Sequence, residues 1–142
     1  MDIFDLRFNM VNGEPPASGI FAQEVGTDGK CRTYLSAYNR VGSDLAAGQP
    51  VTLDIDQTYG RKAIANATTG NEVYKYTGAA QVPVAEGALW WFQIGGPGKA
   101  LVDGTADVVA GDALEVINAG VAFIKAASAR DLATGAIAGE AQ

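Results

Sequence analysis

Apolar positions along the chain recur with a period of two over short runs, and glycines separate the runs. Leu6, Phe8 and Met10 alternate with Arg7 and Asn9, and Leu53 and Ile55 alternate with Thr52, Asp54 and Asp56. Successive side chains of a strand point to opposite faces, so this alternation predicts half-buried strands. Ile20–Val25 and Cys31–Tyr38 are two further apolar stretches, separated by Gly26-Thr27-Asp28-Gly29. An Asp-Gly step supplies the positive φ of a tight turn, which predicts a hairpin here. In the second half, short apolar stretches are separated by glycine turns at Gly78, Gly87, Gly95-Gly96-Pro97-Gly98, Gly104, Gly111, Gly120, Gly135 and Gly139. Ala113–Asn118 and Val121–Lys125 form the clearest hairpin of this half, and residues 134–138 read as a last short strand. Helical signal is confined to Ala126–Leu132, enough for one or two turns. Short strands at close spacing predict an all-β domain, an antiparallel β-sandwich or barrel of jelly-roll type.

The first nineteen residues differ from the rest. The Pro15-Pro16 pair favours extended backbone and cannot donate hydrogen bonds. Residues 1–19 therefore read as an N-terminal strand or arm with its loop, and residues 20–142 as a single β domain. The segment is either a first strand of that domain or an extended arm that grips a neighbour. In the second case Phe4, Leu6, Phe8, Pro15 and Pro16 would make the contact.

The stretch Ala88-Leu89-Trp90-Trp91-Phe92-Gln93-Ile94 is large and apolar on both faces. In a strand, Trp90, Phe92 and Ile94 point one way while Leu89 and Trp91 point the other. One face fills the domain's own core. The other is covered either by more of the same chain or by a second chain, and aromatic residues are enriched at such contacts. Trp90 and Trp91 therefore join the interface candidates.

Composition removes several classes of function. A chain of 142 residues fits one domain, and 48% hydrophobic residues suffice for a packed core without metal or disulfide. The net charge of -6 opposes binding to phosphate backbones, so no nucleic-acid partner is expected. There is no histidine, which removes the Ser–His and Cys–His nucleophile systems and histidine metal sites. Cys31 is the only cysteine, so no intrachain disulfide forms, and the thiol has no histidine to activate it. The acidic start, Met1-Asp2-Ile3-Phe4-Asp5, lacks the basic n-region of a signal peptide. No apolar stretch approaches the roughly 20 residues of a helical membrane span, and no membrane partner is expected.

Two motifs invite chemistry. Gly95-Gly96-Pro97-Gly98-Lys99 has the look of a phosphate loop, but Gln93 stands where the first glycine belongs and Ala100 where Ser or Thr would hold magnesium. It reads as a tight turn. Asp54 and Asp56 share a strand face, with Asp103, Asp107 and Asp112 near turns, yet no calcium-loop spacing is present and turn aspartates commonly cap their own backbone. No catalytic residue, metal site or cofactor is assigned. An enzyme would have to work with carboxylates, Tyr or Lys, and no nucleophile–base pair is visible.

The phrases Val84-Ala85-Glu86-Gly87-Ala88, Val108-Val109-Ala110-Gly111-Asp112-Ala113-Leu114 and Asn118-Ala119-Gly120-Val121-Ala122, with Gly48-Gln49-Pro50-Val51, resemble those of small bacteriophage capsid decoration, or cement, proteins. The resemblance spans roughly residues 40–140 and lies in style and spacing rather than in one diagnostic motif. It implies a structural virion protein, made in the host cytoplasm and placed on the outer capsid surface. There it would bind the major capsid protein and stabilise its lattice, as a homo-oligomer with a trimer favoured over a dimer. The alternative is another virion surface module, a head-fibre base or a carbohydrate-binding β-sandwich. For the last, Tyr34, Tyr38, Tyr59, Tyr74 and Tyr76 would be the aromatic candidates.

Overall fold

A computed structural model of the chain describes residues 13–65, 76–103, 108–116, 122–125 and 136–137. Among them there are strands and turns and no helix. The strands are β1 (Phe21–Val25), β2 (Cys31–Asn39), β3 (Pro50–Asp56), β4 (Gly60–Ile64), β5 (Tyr76–Ala80), β6 (Leu89–Gly95), β7 (Ala113–Val116), β8 (Phe123–Lys125) and β9 (Ala136–Ile137). The expected hairpin at Asp28-Gly29 is the β1–β2 pair, with Val25 opposite Cys31. The later hairpin is β7–β8, and the expected last strand contains β9. The possible helix over Ala126–Leu132 lies outside the described residues.

The first six strands form one sheet in the order β1-β2-β4-β3-β5-β6, and a further β2–β6 pairing closes five of them into a barrel. β1 hangs on β2 outside the ring. The protein is all-β, as the alternation predicts, but the expected fully antiparallel arrangement is corrected by one pair. β2 and β4 run parallel, with Tyr38 beside Lys62 and Asn39 beside Ala63. The reason is topological: strands in a closed ring of five cannot alternate direction all the way round, so one neighbouring pair must agree. β7, β8 and β9 form a separate small sheet in the order β8-β7-β9.

The barrel interior mixes large and small side chains, as a small barrel must. Leu35 and Ala37 from β2, Val51 and Leu53 from β3, Ala63, Ala80 and Phe92 are buried there, with Leu45 and Val84 at one end. Alternation along β2 puts Leu35 and Ala37 inside and leaves Tyr34, Ser36 and Tyr38 for the outer face.

Two stretches of the barrel repeat one construction. In the first, Gln49 N–H donates to Ala46 O (3.1 Å) around Gly48; in the second, Ala88 N–H donates to Ala85 O (3.1 Å) around Gly87. Both glycines have positive φ, 82° and 79°, the conformation a type II turn demands at its third residue. Leu45 and Val84, which lead into the turns, exchange backbone hydrogen bonds of 2.8 and 3.0 Å. Each turn then caps the strand that leads to the other. Gly48 N–H donates to Ala80 O and Ala80 N–H to Gln49 O; Gly87 N–H donates to Asn39 O and Asn39 N–H to Ala88 O. The registers correspond residue by residue. Pro50, Val51, Thr52 and Leu53 face Ala79, Gly78, Thr77 and Tyr76, while Leu89, Trp90, Trp91 and Phe92 face Tyr38, Ala37, Ser36 and Leu35. The barrel thus carries an internal pseudo-two-fold. A third copy of the turn, with Asp112 N–H on Val109 O and Gly111 at φ 93°, leads into β7. The small sheet joins the barrel through Leu101, whose N–H donates to Gly48 O and whose carbonyl accepts from Phe123 N–H.

Candidate functional site

Both faces of β6 are buried within this one chain. Phe92 is fully buried in the barrel, with Trp90 and Ile94 packed against the same core. On the outer face Trp91, only 2% exposed, packs with Ala22 of β1 and Tyr34 of β2, flanked by Ile20 and Trp90. Residues 13–20 close over it. Trp91 Nε1 donates to Gly13 O (3.0 Å), and Pro15 is buried. Ser36 anchors this segment: its hydroxyl donates to Ala17 O (2.7 Å) and accepts from Ile20 N–H (2.9 Å). Its backbone accepts from Gly19 N–H and donates to Ile20 O. Ser18 ties the segment to β4, accepting from Arg61 N–H and donating to Tyr59 O. Of the two coverings that the sequence leaves open for the Trp91 face, the chain supplies its own.

The interface candidates therefore separate. Trp91 and Pro15 are buried, Trp90 is half-buried and Pro16 is exposed. Phe4, Leu6 and Phe8 lie outside the described residues. Over residues 13–19 the expected extended arm instead lies against the barrel, because Ser36 and Trp91 offer its backbone hydrogen-bond partners that water would otherwise supply.

The chemistry-bearing motifs are occupied by the chain itself. The Gln93 side-chain amide lies 3.1, 2.8 and 2.9 Å from the carbonyl oxygens of Gly95, Gly96 and Pro97. The loop turns acceptors inward, whereas a phosphate cradle needs inward N–H donors. The residue that spoils the phosphate-loop spacing is thus the one that fills the loop. Asp56 caps the β3–β4 turn, accepting from Thr58 N–H (2.7 Å) and Tyr59 N–H (3.2 Å), and pairs with Lys62 Nζ at 2.7 Å. The Lys62 hydrogen bond, with the Thr58 amide, holds its pKa down at about 2. Asp54 accepts from the Ile55 N–H, and Asp112 from the Val109 N–H. Asp103 is placed on the link to the small sheet, with its N–H on Phe123 O, and Asp107 lies outside the described residues. Among the described residues no three carboxylates or thiols are grouped as a metal ion would require.

The scattered tyrosines also separate. Tyr34 is buried, and burial raises its pKa. Tyr38 and Tyr59 meet on the outer face, their ring centroids 5.7 Å apart, and the Arg40 guanidinium lies 5.0 Å from the Tyr59 centroid. Arg40 in turn pairs with Glu86 at 3.7 Å. The parallel β2–β4 pair creates this cluster, and nothing in the sequence spacing announces it. The side chains of Tyr74 and Tyr76 are outside the described set.

What remains open is the β1–β2 ribbon. Phe21 and Val25 are 57% and 68% exposed, far more than their hydrophobicity warrants, and Cys31 is exposed on the neighbouring strand. β1 stands at the end of the sheet order, and among the described residues it pairs only with β2. The ribbon is held stiffly at its tip. Asp28 accepts from Lys30 N–H (3.0 Å) and pairs with Arg32 at 2.8 Å, and Arg32 Nε also donates to Pro97 O (2.9 Å). The Arg32 hydrogen bond and the Lys30 amide hold the Asp28 pKa at about 2. The sequence signal for this ribbon was present in Phe21-Ala22-Gln23-Glu24-Val25, whose apolar Phe21 and Val25 flank Gln23 on one face. Read alone, it passes for an ordinary buried strand.

No protein-family model, curated protein or solved structure matches the chain.

Proposed function

We propose that this chain is a structural virion protein that binds the outer surface of a phage capsid and stabilises the major capsid protein lattice. The observation that carries the reading is the recurring glycine turn. Three of the phrases that resemble cement proteins, around Gly48, Gly87 and Gly111, adopt one hydrogen-bonded turn, and each leads into a strand. The resemblance therefore follows a structural unit rather than loose composition. The motifs that suggested other chemistry, the glycine run and the paired aspartates, are engaged in holding turns together. A net charge of -6 suits a protein that sits away from packaged DNA. Many weak contacts repeated over a lattice give firm attachment through avidity.

The test is co-sedimentation of the purified chain with expanded heads that lack it, followed by thermal disruption of the shells. Binding with a raised disruption temperature is expected. Heads that pellet without the chain would overturn the reading. A second reading, a glycan-binding virion module, draws on the Tyr38–Tyr59–Arg40 cluster, since sugars stack on exposed aromatic rings. Arg40 already covers one face of Tyr59, which weakens it. Binding to a glycan array, abolished by Tyr38→Ala and unaccompanied by head binding, would favour that alternative.

A further inference from the structure

We propose that β1 is the seam between two copies of this chain, paired antiparallel about a two-fold axis at Gln23. The first observation is the direction of the backbone groups. Ser36 N–H donates to Ile20 O, and Gly26 N–H donates to Lys30 O. In an antiparallel ladder, hydrogen-bonded and non-bonded pairs alternate. The register places Ala22 opposite Tyr34 and Glu24 opposite Arg32, so these are the bonded pairs between. The N–H and C=O groups of Phe21, Gln23 and Val25 consequently point away from β2, along the open edge.

The second observation is self-complementarity. An axis at Gln23 sets Gln23 against its own copy and Phe21 against Val25 of the second copy. All of these residues direct their backbone groups outward, so each pairing closes two hydrogen bonds. An axis at Ala22 or Glu24 would set only two such pairs within the strand, against three here, and an axis between residues would set outward groups opposite ones already bonded to β2. The side chains agree with the backbone. Phe21, Gln23 and Val25 are all exposed and lie on one face. Aromatic against β-branched is a favourable cross-strand pair, and the two Gln23 amides can bond each other.

The third observation is charge. The seam row is uncharged, and Glu24 falls opposite Ala22 of the second copy rather than opposite another acid. Two copies of a chain with net charge -6 can therefore meet here without like charges face to face. Natural edge strands are commonly protected by Lys, Pro or a bulge. β1 has none of these, and its pairing with β2 runs without a register shift. Anchored at Asp28, Arg32 and Pro97, the ribbon is already in the shape that pairing needs, which lowers the ordering cost of association. The product is a sheet continuous through both copies, running from β2–β1 of one into β1–β2 of the second. This favours a two-fold contact over the trimer that the cement-protein resemblance implies.

The experiment is sedimentation equilibrium on the purified full-length chain, without heads, so that its outcome is independent of capsid binding. Twice the 14.7 kDa chain mass is expected for the native protein. Gln23→Pro removes an N–H that faces the open edge and leaves the β2 ladder intact; it should weaken dimerisation roughly tenfold to a hundredfold. The double variant Phe21→Lys with Val25→Lys places like charges opposite each other and should sediment as a monomer with unchanged circular dichroism. Ile55→Lys and Val82→Lys, at exposed apolar positions elsewhere, should leave the mass at twice the chain. The proposal is overturned if the native chain is monomeric up to roughly 100 µM, or if the edge variants keep the native mass.

Discussion

The two pseudo-symmetric parts of the barrel share a turn and a register but treat their outer faces differently. In the β3–β5 pair, Thr52 stands opposite Thr77; at the matching place in the β2–β6 pair, Trp91 stands opposite Ser36. β4 enters between β2 and β3, whereas β5 and β6 pair directly. Where β1 and residues 13–20 lie over the sheet, the outer face carries a tryptophan and a hydroxyl that anchors the covering segment. At the matching position of the other part stands a threonine, Thr52, which is also buried. The two parts thus share a turn built on a glycine and an apolar lead residue, and a paired register, while their outward side chains differ.

Substitutions at matched positions break this comparison in graded steps. Phe92 and Leu53 occupy equivalent sites and are both fully buried. Phe92→Ala should cost about 3–5 kcal/mol and Leu53→Ala about 2–5 kcal/mol, read as shifts in urea unfolding midpoints. A much smaller loss at Leu53 would mean that the two parts do not share one core. The turn glycines come next. Gly87→Ala and Gly111→Ala should each cost about 1–2 kcal/mol, since both residues have positive φ and an added Cβ meets little. Gly48→Ala should cost more than either, because its Cβ would lie 2.5 Å from the Leu101 backbone nitrogen, where the small sheet attaches. Equal losses at all three would show that the Leu101 contact carries no constraint.

The smallest effect is electrostatic and lies in the β3–β4 turn, which has no counterpart in the other half. Asp56 has its pKa lowered from 3.8 to about 2 by Lys62 and the turn amides. A depressed carboxylate stabilises the fold above its unfolded pKa and loses that contribution as protons are added. Native chain and Asp56→Asn should therefore differ in melting temperature at pH 5. The difference should shrink as pH falls from 3.8 towards 2. A gap that is constant across this range would remove the ion pair from the account.

Much of the fold was legible in the chain. Asp28-Gly29 marks the β1–β2 turn, Leu53 marks β3, and the glycines at 87 and 111 mark real turns, whereas Gly78, read as a turn, lies inside β5 opposite Val51, where Leu53 and Ile94 leave no room for a Cβ. The parallel β2–β4 pair was not, because Gly60-Arg61-Lys62-Ala63-Ile64 has little apolar pattern and its neighbour is distant in sequence. The pseudo-two-fold was hidden for a different reason. It resides in backbone hydrogen bonds, which constrain few side chains, so the two stretches share hardly any identical residues. The fate of Trp91 depended on where residues 13–20 pack, and sequence can show only that some cover is needed. Ile55 illustrates the limit of alternation: it shares a strand with buried Leu53 and pairs with Arg61 of β4, yet it is exposed.

The reciprocal grip of the two turns has a consequence for how the molecule comes apart. The amides of Gly48 and Ala80 tie one strand end, and those of Gly87 and Asn39 tie the other. Releasing either pair uncaps a strand whose continuation is the opposite turn. Neither half can fray while its mate stays closed, so these four amides should exchange with deuterium at closely similar rates, set by opening of the whole barrel. Under load such a barrel should open in one step rather than by stages.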